Sequence, residues 1–277
     1  MIFLKLGGSL ITNKSQPETA RHAIIERLAQ EIQSFMQDQQ APKLLIGHGS
    51  GSFGHFTAAK YNTQAGAANR TQWIGFTQVW AAANRLNRII VDALLSCDLP
   101  VISFPPSASA TSCDGELKSL SVAPIHQALK AGLLPLVQGD VAFDQRLGST
   151  IVSTEKVFAF LARELRPDLI LLAGIEPGVY QHFPSRRDVL EEITEDNLDQ
   201  IAVIGSEATD VTGGMADKVN RSLALCKQVS GLKVRIFSAE EPGSLKRALH
   251  GAQFGTLIRS VRSELPNAPA NPKHRGL

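Results

Sequence analysis

Short apolar runs alternate with longer amphipathic stretches along most of this chain. Short, largely apolar runs of four or five residues mark strands buried on both faces. They fall at Ile2–Leu6, Lys43–Ile46, Pro100–Phe104, Leu133–Val137, Leu169–Ala173, Val234–Ser238 and Gly255–Ile258. Between them, apolar positions recur at helical spacing over Arg21–Asp38, Gln72–Ser96, Ser153–Leu165, Gly214–Gln228 and Glu241–Leu249. Buried strands separated by helices predict an α/β fold, an αβα sandwich on a largely parallel sheet. Ser109–Ser121, around "CDGEL", and Ala142–Val152, around "QRLGS", break the alternation and read as hairpins. Asp114-Gly115 is the tight-turn signal in the first. Pro167 stops the helix that begins near Ser153, so a boundary near residue 166 divides the chain into two α/β halves, 1–166 and 167–263. Residues 264–277, which include "PNAPANPKHRGL", are expected to fray.

Composition narrows the class. The chain has 277 residues, 43% hydrophobic and 19% charged, with a net charge of +2. That balance is ordinary for a soluble globular protein and gives no basic footprint for nucleic acid. Cys97, Cys113 and Cys226 are scattered with no CxxC pair, which suits free thiols in a reducing cytoplasm rather than a zinc site. The opening "MIFLKLGGSL" is too short and wrongly flanked for a signal peptide, and no run reaches membrane-spanning length. A cytoplasmic protein without membrane or nucleic-acid partners is expected.

Candidate chemistry lies in three glycine motifs. "GHGSGSFGH", residues 47 to 55, follows a strand, and such a loop lets backbone approach an anion. Gly49, Gly51 and Gly54 formally match G-x-G-x-x-G. A dinucleotide site also needs an acidic ribose anchor about 20 residues on. No Asp or Glu occurs between Asp38 and Asp92. The N-terminal "LKLGGSLITNKS" nearly spells a P-loop, but Asn13 stands where its second glycine belongs and "SQPE" after Lys14 reads as loop. What remains is a strand carrying Lys5, a Gly7-Gly8 turn and a second lysine at 14. In "DVTGGMADKV", Gly213-Gly214 precede a helix with Lys218 one turn in, a second place for a phosphate.

Taken in order, "KLGGSLIT", "GHGSGSFGH", "QGDVAFD", "GSTIVSTEK", "AGIEPGVY" and "DVTGGMADKV" resemble the amino acid kinase family, and more closely its isopentenyl phosphate kinase branch. The resemblance implies that fold, ATP with Mg²⁺, isopentenyl phosphate as acceptor and a homodimer formed through a long helix such as Gln72–Ser96. It implies that Lys14 stabilises the transferring group, while Lys5 and Lys218 hold the donor phosphates. Gly7, Gly8, Ser9, Gly51, Gly174, Gly178 and Gly214 would complete the nucleotide site. His55, whose Ser-Phe-Gly-His context is specific to the branch, would bind the acceptor phosphate together with Ser50, Gly54 and Gly148. Asp140 or Glu155 would orient the lysines.

The residues themselves fit such a reaction. A phosphate monoester is mostly ionised at neutral pH, its second pKa being about 6, so it needs no general base as a nucleophile. Phosphoryl transfer then asks mainly for positioning and cation density. Trp73, Phe76, Val79, Trp80 and Ala83 recur at helical spacing in the acid-free stretch, and Phe76 and Trp80 are candidates for holding an apolar tail. An amino-acid acceptor would need a partner for its ammonium group, and none is offered nearby. The alternatives are a same-fold kinase of another small phosphate or phosphonate, and a non-catalytic nucleotide sensor.

Overall fold

The computed structural model describes residues 1–182, 186–198 and 214–261. Asp210–Gly213 of the third glycine motif and the 264–277 tail lie outside the described residues. In chain order the elements are β1 (Ile2–Leu6), α1 (Gly8–Ile11), α2 (His22–Met36), β2 (Leu44–His48), α3 (Gly51–Tyr61), α4 (Arg70–Leu95) and β3 (Val101–Ser103). Then follow β4 (Thr111–Cys113), β5 (Glu116–Ser119), α5 (Ala123–Lys130), β6 (Leu134–Gln138), β7 (Asp140–Asp144), β8 (Gly148–Val152) and α6 (Thr154–Leu165). The remainder contributes β9 (Leu169–Gly174), β10 (Tyr180–His182), β11 (Arg187–Val189), β12 (Glu192–Ile193), α7 (Gly214–Gln228), β13 (Lys233–Ser238), α8 (Ser244–Leu249) and β14 (Thr256–Arg259).

Eight strands form one sheet in the order β12-β14-β13-β9-β1-β2-β6-β3. All neighbours run parallel except the β13–β14 pair. β1 is central, pairing with β2 on one edge and with β9 on the other. Its side chains alternate between faces, as a strand's period of two requires. Ile2, Leu4 and Leu6 pack with α2, α4 and α8, through residues such as Leu28, Leu86 and Leu245. Phe3 joins the opposite layer with α5, α6 and α7, among Leu129, Phe158 and Leu223. Two hairpins, β4–β5 and β7–β8, combine in a four-stranded sheet beside the main one. The Asp144 carboxylate ties them by accepting from the amides of Asp114, Gly115, Arg146 and Leu147.

Local signals explain most boundaries. α4 begins at Arg70 because Asn69 and Gln72 form a reciprocal capping box. Ser153 caps α6 by accepting from the Lys156 amide at 3.3 Å. One expectation changes. The glycine-rich stretch is loop only at Gly49 and Ser50; from Gly51 it is helix, and His55 stands inside α3 rather than at a loop end. Gly7-Gly8 likewise opens the short helix α1.

Gly47 fixes how closely α6 lies on the sheet. A methyl group there would stand 2.5 Å from Phe158 Cε1 and 2.8 Å from Thr154 Cγ2. Phe158 is itself held by Phe3, ring centroids 5.2 Å apart. Gly47→Ala should therefore lower stability by about 1–3 kcal/mol through overpacking. Urea denaturation of Gly47→Ala and of Gly47→Ala/Phe158→Leu tests this. The double variant should regain part of the loss, and additive losses would refute the contact.

Candidate active site

A cleft of about 600 Å³ opens at the C-terminal ends of β9, β1 and β2, where parallel α/β sheets place their ligands. Its floor is three backbone turns in contact with almost no side chain between them. A β-carbon on Gly7 would stand 2.8 Å from Ala173 O, one on Gly8 2.7 Å from Gly51 N, and one on Gly49 3.0 Å from Gly8 N. The Gly7 amide donates to Ala173 O at 2.8 Å and the Gly49 amide to Leu6 O at 3.0 Å, so the sheet ladder runs on into the turns. Gly51 has φ +48°, and a side chain there would strike Thr12 Oγ1. Helices α3, α6 and α7 all begin at cleft-lining residues, Gly51, Thr154 and Gly214. The positive ends of their dipoles therefore border this cleft.

Side chains add to that positive field. Lys5, Lys14, Lys156, Lys218 and Arg221 line the cleft, against Asp140, Glu155, Glu176 and Asp217. Lys5 projects from the end of β1 and forms an ion pair with Glu155 at the start of α6. Burial pushes the Glu155 carboxyl up, but the adjoining Lys5 ammonium and the nearby Lys218 outweigh it and hold the carboxyl at about 2. Of the two carboxylates that could orient the lysines, Glu155 is thus the one in contact. Asp140 is turned elsewhere, accepting from the Val141 amide at 2.9 Å and the Ser107 amide at 3.2 Å. Burial raises its pKa, and these hydrogen bonds offset only part of the rise. His48 is fully buried, its Nε2 donating to Asn87 Oδ1 at 3.1 Å. Burial lowers its pKa, against hydrogen bonds to Asn87 and to the Gly49 carbonyl that raise it.

Most of the candidate site residues meet in this cleft. Lys5, Gly7, Gly8, Ser9, Lys14, Ser50, Gly51, Gly54, His55, Gly174, Gly214 and Lys218 all line it. Four do not. Gly148 has φ +75° and packs against Ala67 O, where a β-carbon would come within 2.2 Å. Gly178 abuts Val189 and Thr256. Phe76 is buried in a side cluster with Ala58, Val79 and Val141. Trp80, 46% exposed, stands outside. The apolar stretch of the cleft wall is instead Ala58, Val79, Ala83 and Ile151, with Phe76 packed against Val79 and Ala58 from behind. Ala58 and Ile151 lie on α3 and β8, where no helical stripe marked them. Among the described residues no group of three or more His, Cys, Asp or Glu could hold a metal ion, and no helix is long and apolar enough to cross a membrane.

Known proteins share this architecture. The model of the amino acid kinase family matches residues 1–238, and the chain belongs to that family. It is 34% identical over 274 residues to the isopentenyl phosphate kinase of Methanothermobacter thermautotrophicus, across 93% of this chain and 98% of the relative. It is 32% identical over 271 residues to that of Methanocaldococcus jannaschii, with coverages of 93% and 98%. An X-ray structure of isopentenyl phosphate kinase superposes with a TM-score of 0.79 at 31% identity, covering 93% of this chain and 99% of its own.

The Lys5–Glu155 pair sets a pH dependence. Glu155 has a folded pKa of about 2 against an ordinary 4.5, so the stability it contributes is complete above pH 4.5 and lost as pH falls toward 2. Glu155→Gln should be destabilised relative to the native chain at pH 7, and the gap should shrink at pH 3 and further at pH 2. Urea midpoints at the three values check this, and a gap independent of pH would remove the pair as its source.

Proposed function

We propose that this chain transfers the γ-phosphoryl group of ATP to isopentenyl phosphate, giving isopentenyl diphosphate and ADP. One observation carries the reading: His55 lines a cleft bordered by glycine turns and lysines whose adjoining wall is the apolar set Ala58, Val79, Ala83 and Ile151. An anion with a short hydrocarbon tail suits that combination. Five carbons at about 0.8 kcal/mol per buried CH₂ would draw on the order of 4 kcal/mol from such a wall. The relatives that share the chain's full length are kinases of this same acceptor.

In the reaction an acceptor phosphate oxygen attacks the γ-phosphorus, and the bond from that phosphorus to the β,γ-bridging oxygen breaks. ADP leaves with the electron pair, and a dianionic acceptor has no proton to lose. The work falls on charge and position. Lys14 stabilises the transferring group; Lys5 and Lys218, both under the influence of Glu155, hold the donor phosphates. His55 and the amides near Ser50 and Gly54 hold the acceptor phosphate. The cleft carboxylates are engaged, Glu155 with Lys5, Asp140 with amides, Glu176 with Arg186 and Asp217 with Arg221. Mg²⁺ fits here as a companion of the triphosphate, held by phosphate oxygens and water. When bound it would neutralise charge between the β- and γ-phosphates. Residues 1–166 supply the acceptor wall and, through Lys5 and the Gly7, Gly8 and Gly51 turns, part of the nucleotide site, which 167–263 complete with Gly174, Gly214 and Lys218. The enzyme works in the cytoplasm as a homodimer, with α4 as the pairing helix.

A coupled ADP-release assay with isopentenyl phosphate, glutamate and acetylglutamate tests the acceptor class. Turnover should be confined to isopentenyl phosphate, and turnover with either amino acid instead would sink the proposal. His55→Ala should cost about ten- to hundredfold in kcat/KM, in keeping with a charged hydrogen bond of about 1.5–3 kcal/mol. His55→Gln should recover part of it, and unchanged acceptor kinetics would make His55 a structural residue.

The wall also sets chain length. Phe76→Ala opens room behind Val79 and Ala58 and should raise kcat/KM for geranyl phosphate over isopentenyl phosphate by at least roughly tenfold, or about 1.4 kcal/mol. It should also cost about 3–5 kcal/mol of stability. Trp80→Ala, outside the cleft, should leave the ratio unchanged. The two substrate rates beside a melting curve decide it, and a constant ratio in Phe76→Ala would place the length limit elsewhere.

A further inference from the structure

Lys14 sits on a loop, and loops are poor platforms for a charge that must be placed to within an ångström. This loop is closed on itself. Thr12 and Ala20 form an antiparallel bridge, and the Asn13 amide donates to Thr19 O at 2.9 Å. Asn13 Oδ1 turns the chain around Lys14 by accepting from the Ser15 amide at 3.0 Å and the Ser15 hydroxyl at 2.8 Å.

Two further sets of contacts fasten the closed loop to the rest of the cleft. Buried Ser52, in the first turn of α3, is one anchor. Its amide donates to Thr12 Oγ1 at 3.0 Å, and its Oγ accepts from the Thr19 amide at 3.2 Å. Arg85 on α4 is the other. Its guanidinium grips the Glu18 carboxylate with two prongs, Nε to Oε2 at 2.8 Å and Nη2 to Oε1. Glu18 adopts φ +47°, a left-handed conformation costly for any residue with a β-carbon. Such a conformation persists where the surroundings hold it, and the fork on Glu18 does so. Arg85 also shares its helix with Val79 and Ala83 of the cleft wall, so the lysine loop and that wall hang on one rigid element.

We propose that Arg85 is a positioning residue for phosphoryl transfer: through Glu18 it fixes the Lys14 loop against α3 and α4, setting the distance between the Lys14 charge and the acceptor held near His55. The inference rests on the role given to Lys14 above. The Arg85 and Glu18 side chains are 51% and 36% exposed. Exposed pairs add little to global stability, so removing this one frees the loop and spares the fold.

The test is steady-state kinetics with ATP and isopentenyl phosphate on Arg85→Ala, Glu18→Gln, Lys14→Ala and Arg85→Ala/Lys14→Ala, with melting curves alongside. Arg85→Ala and Glu18→Gln should each lower kcat about tenfold, with both KM values held within about twofold and melting shifted by no more than about 3 °C. Arg85→Lys, which keeps the charge but loses the fork, should fall between. In the Lys14→Ala background, itself slower by about 10²–10³-fold, the Arg85→Ala loss should vanish. An unchanged kcat in Arg85→Ala beside a slow Lys14→Ala would overturn the inference and leave Lys14 in place. The same loss in both backgrounds would overturn it too, because Arg85 would then act by another route. A near-normal kcat in Lys14→Ala would bring down the Lys14 assignment itself, and this inference with it.

Discussion

Backbone touching backbone is the constraint on which the rest of this molecule depends. The turns after β1 and β2 meet each other and the end of β9 at Gly7, Gly8 and Gly51, at separations that no β-carbon could share, and nearly as closely at Gly49. Close approach of three strand ends gathers amide donors into one small volume, and the three longer helices that start there point their positive ends the same way. Turns fixed by such contacts are already oriented before any ligand arrives. They therefore spend little reorganisation on binding, which is what charge stabilisation during reaction requires.

Positive charge concentrated in this way must be kept from repelling itself. Glu155 does that from the first turn of α6, neutralising Lys5 directly and lying within the field of Lys218. The pair joins β1 to α6 across a half-buried gap, where removing either partner would leave the other charge stranded. Buried His48, on the opposite face of the sheet from Lys5, braces β2 against Asn87 of α4. His55, seven residues on, stands on α3 and lines the cleft.

Most strands of the main sheet, the long helices and both hairpins were legible because their physics is local, while β10, β11, β12 and α5 carried no marked signal. Short, largely apolar runs, an Asp-Gly turn and a Pro after a helix each act over a few residues. Helix α3 was not legible. Its buried positions, Gly51, Ser52, Phe53, Gly54 and Ala58, form no apolar stripe, and its glycines read as loop. What makes it helical is the sheet end and the Thr12 and Ser50 contacts that receive it, which are distant in sequence or specific to the fold. The apolar wall shows the same limit. The spacing of Val79 and Ala83 put them on one helix face with Phe76, but only packing decides that Phe76 lies behind that face and Trp80 outside it. Lys5, Lys14 and Lys218 were visible from their glycine contexts, whereas the choice of Glu155 over Asp140 needed coordinates. The anchors of the Lys14 loop, Ser52 and Arg85, carried no sequence signal at all.

β1 has a history as well as a position. Along the chain β1 reaches its partner β2 across α1 and α2. Its other edge waits for β9, whose register places Leu169 opposite Ile2. Until that stretch emerges from the ribosome, the growing chain carries an open parallel edge at the centre of its future sheet, a ready template for pairing with the wrong partner. Non-local closure of this kind is slow. The same strand that holds Lys5 in place therefore closes one of its edges only across more than half the sequence, the pairing that costs the most loop entropy.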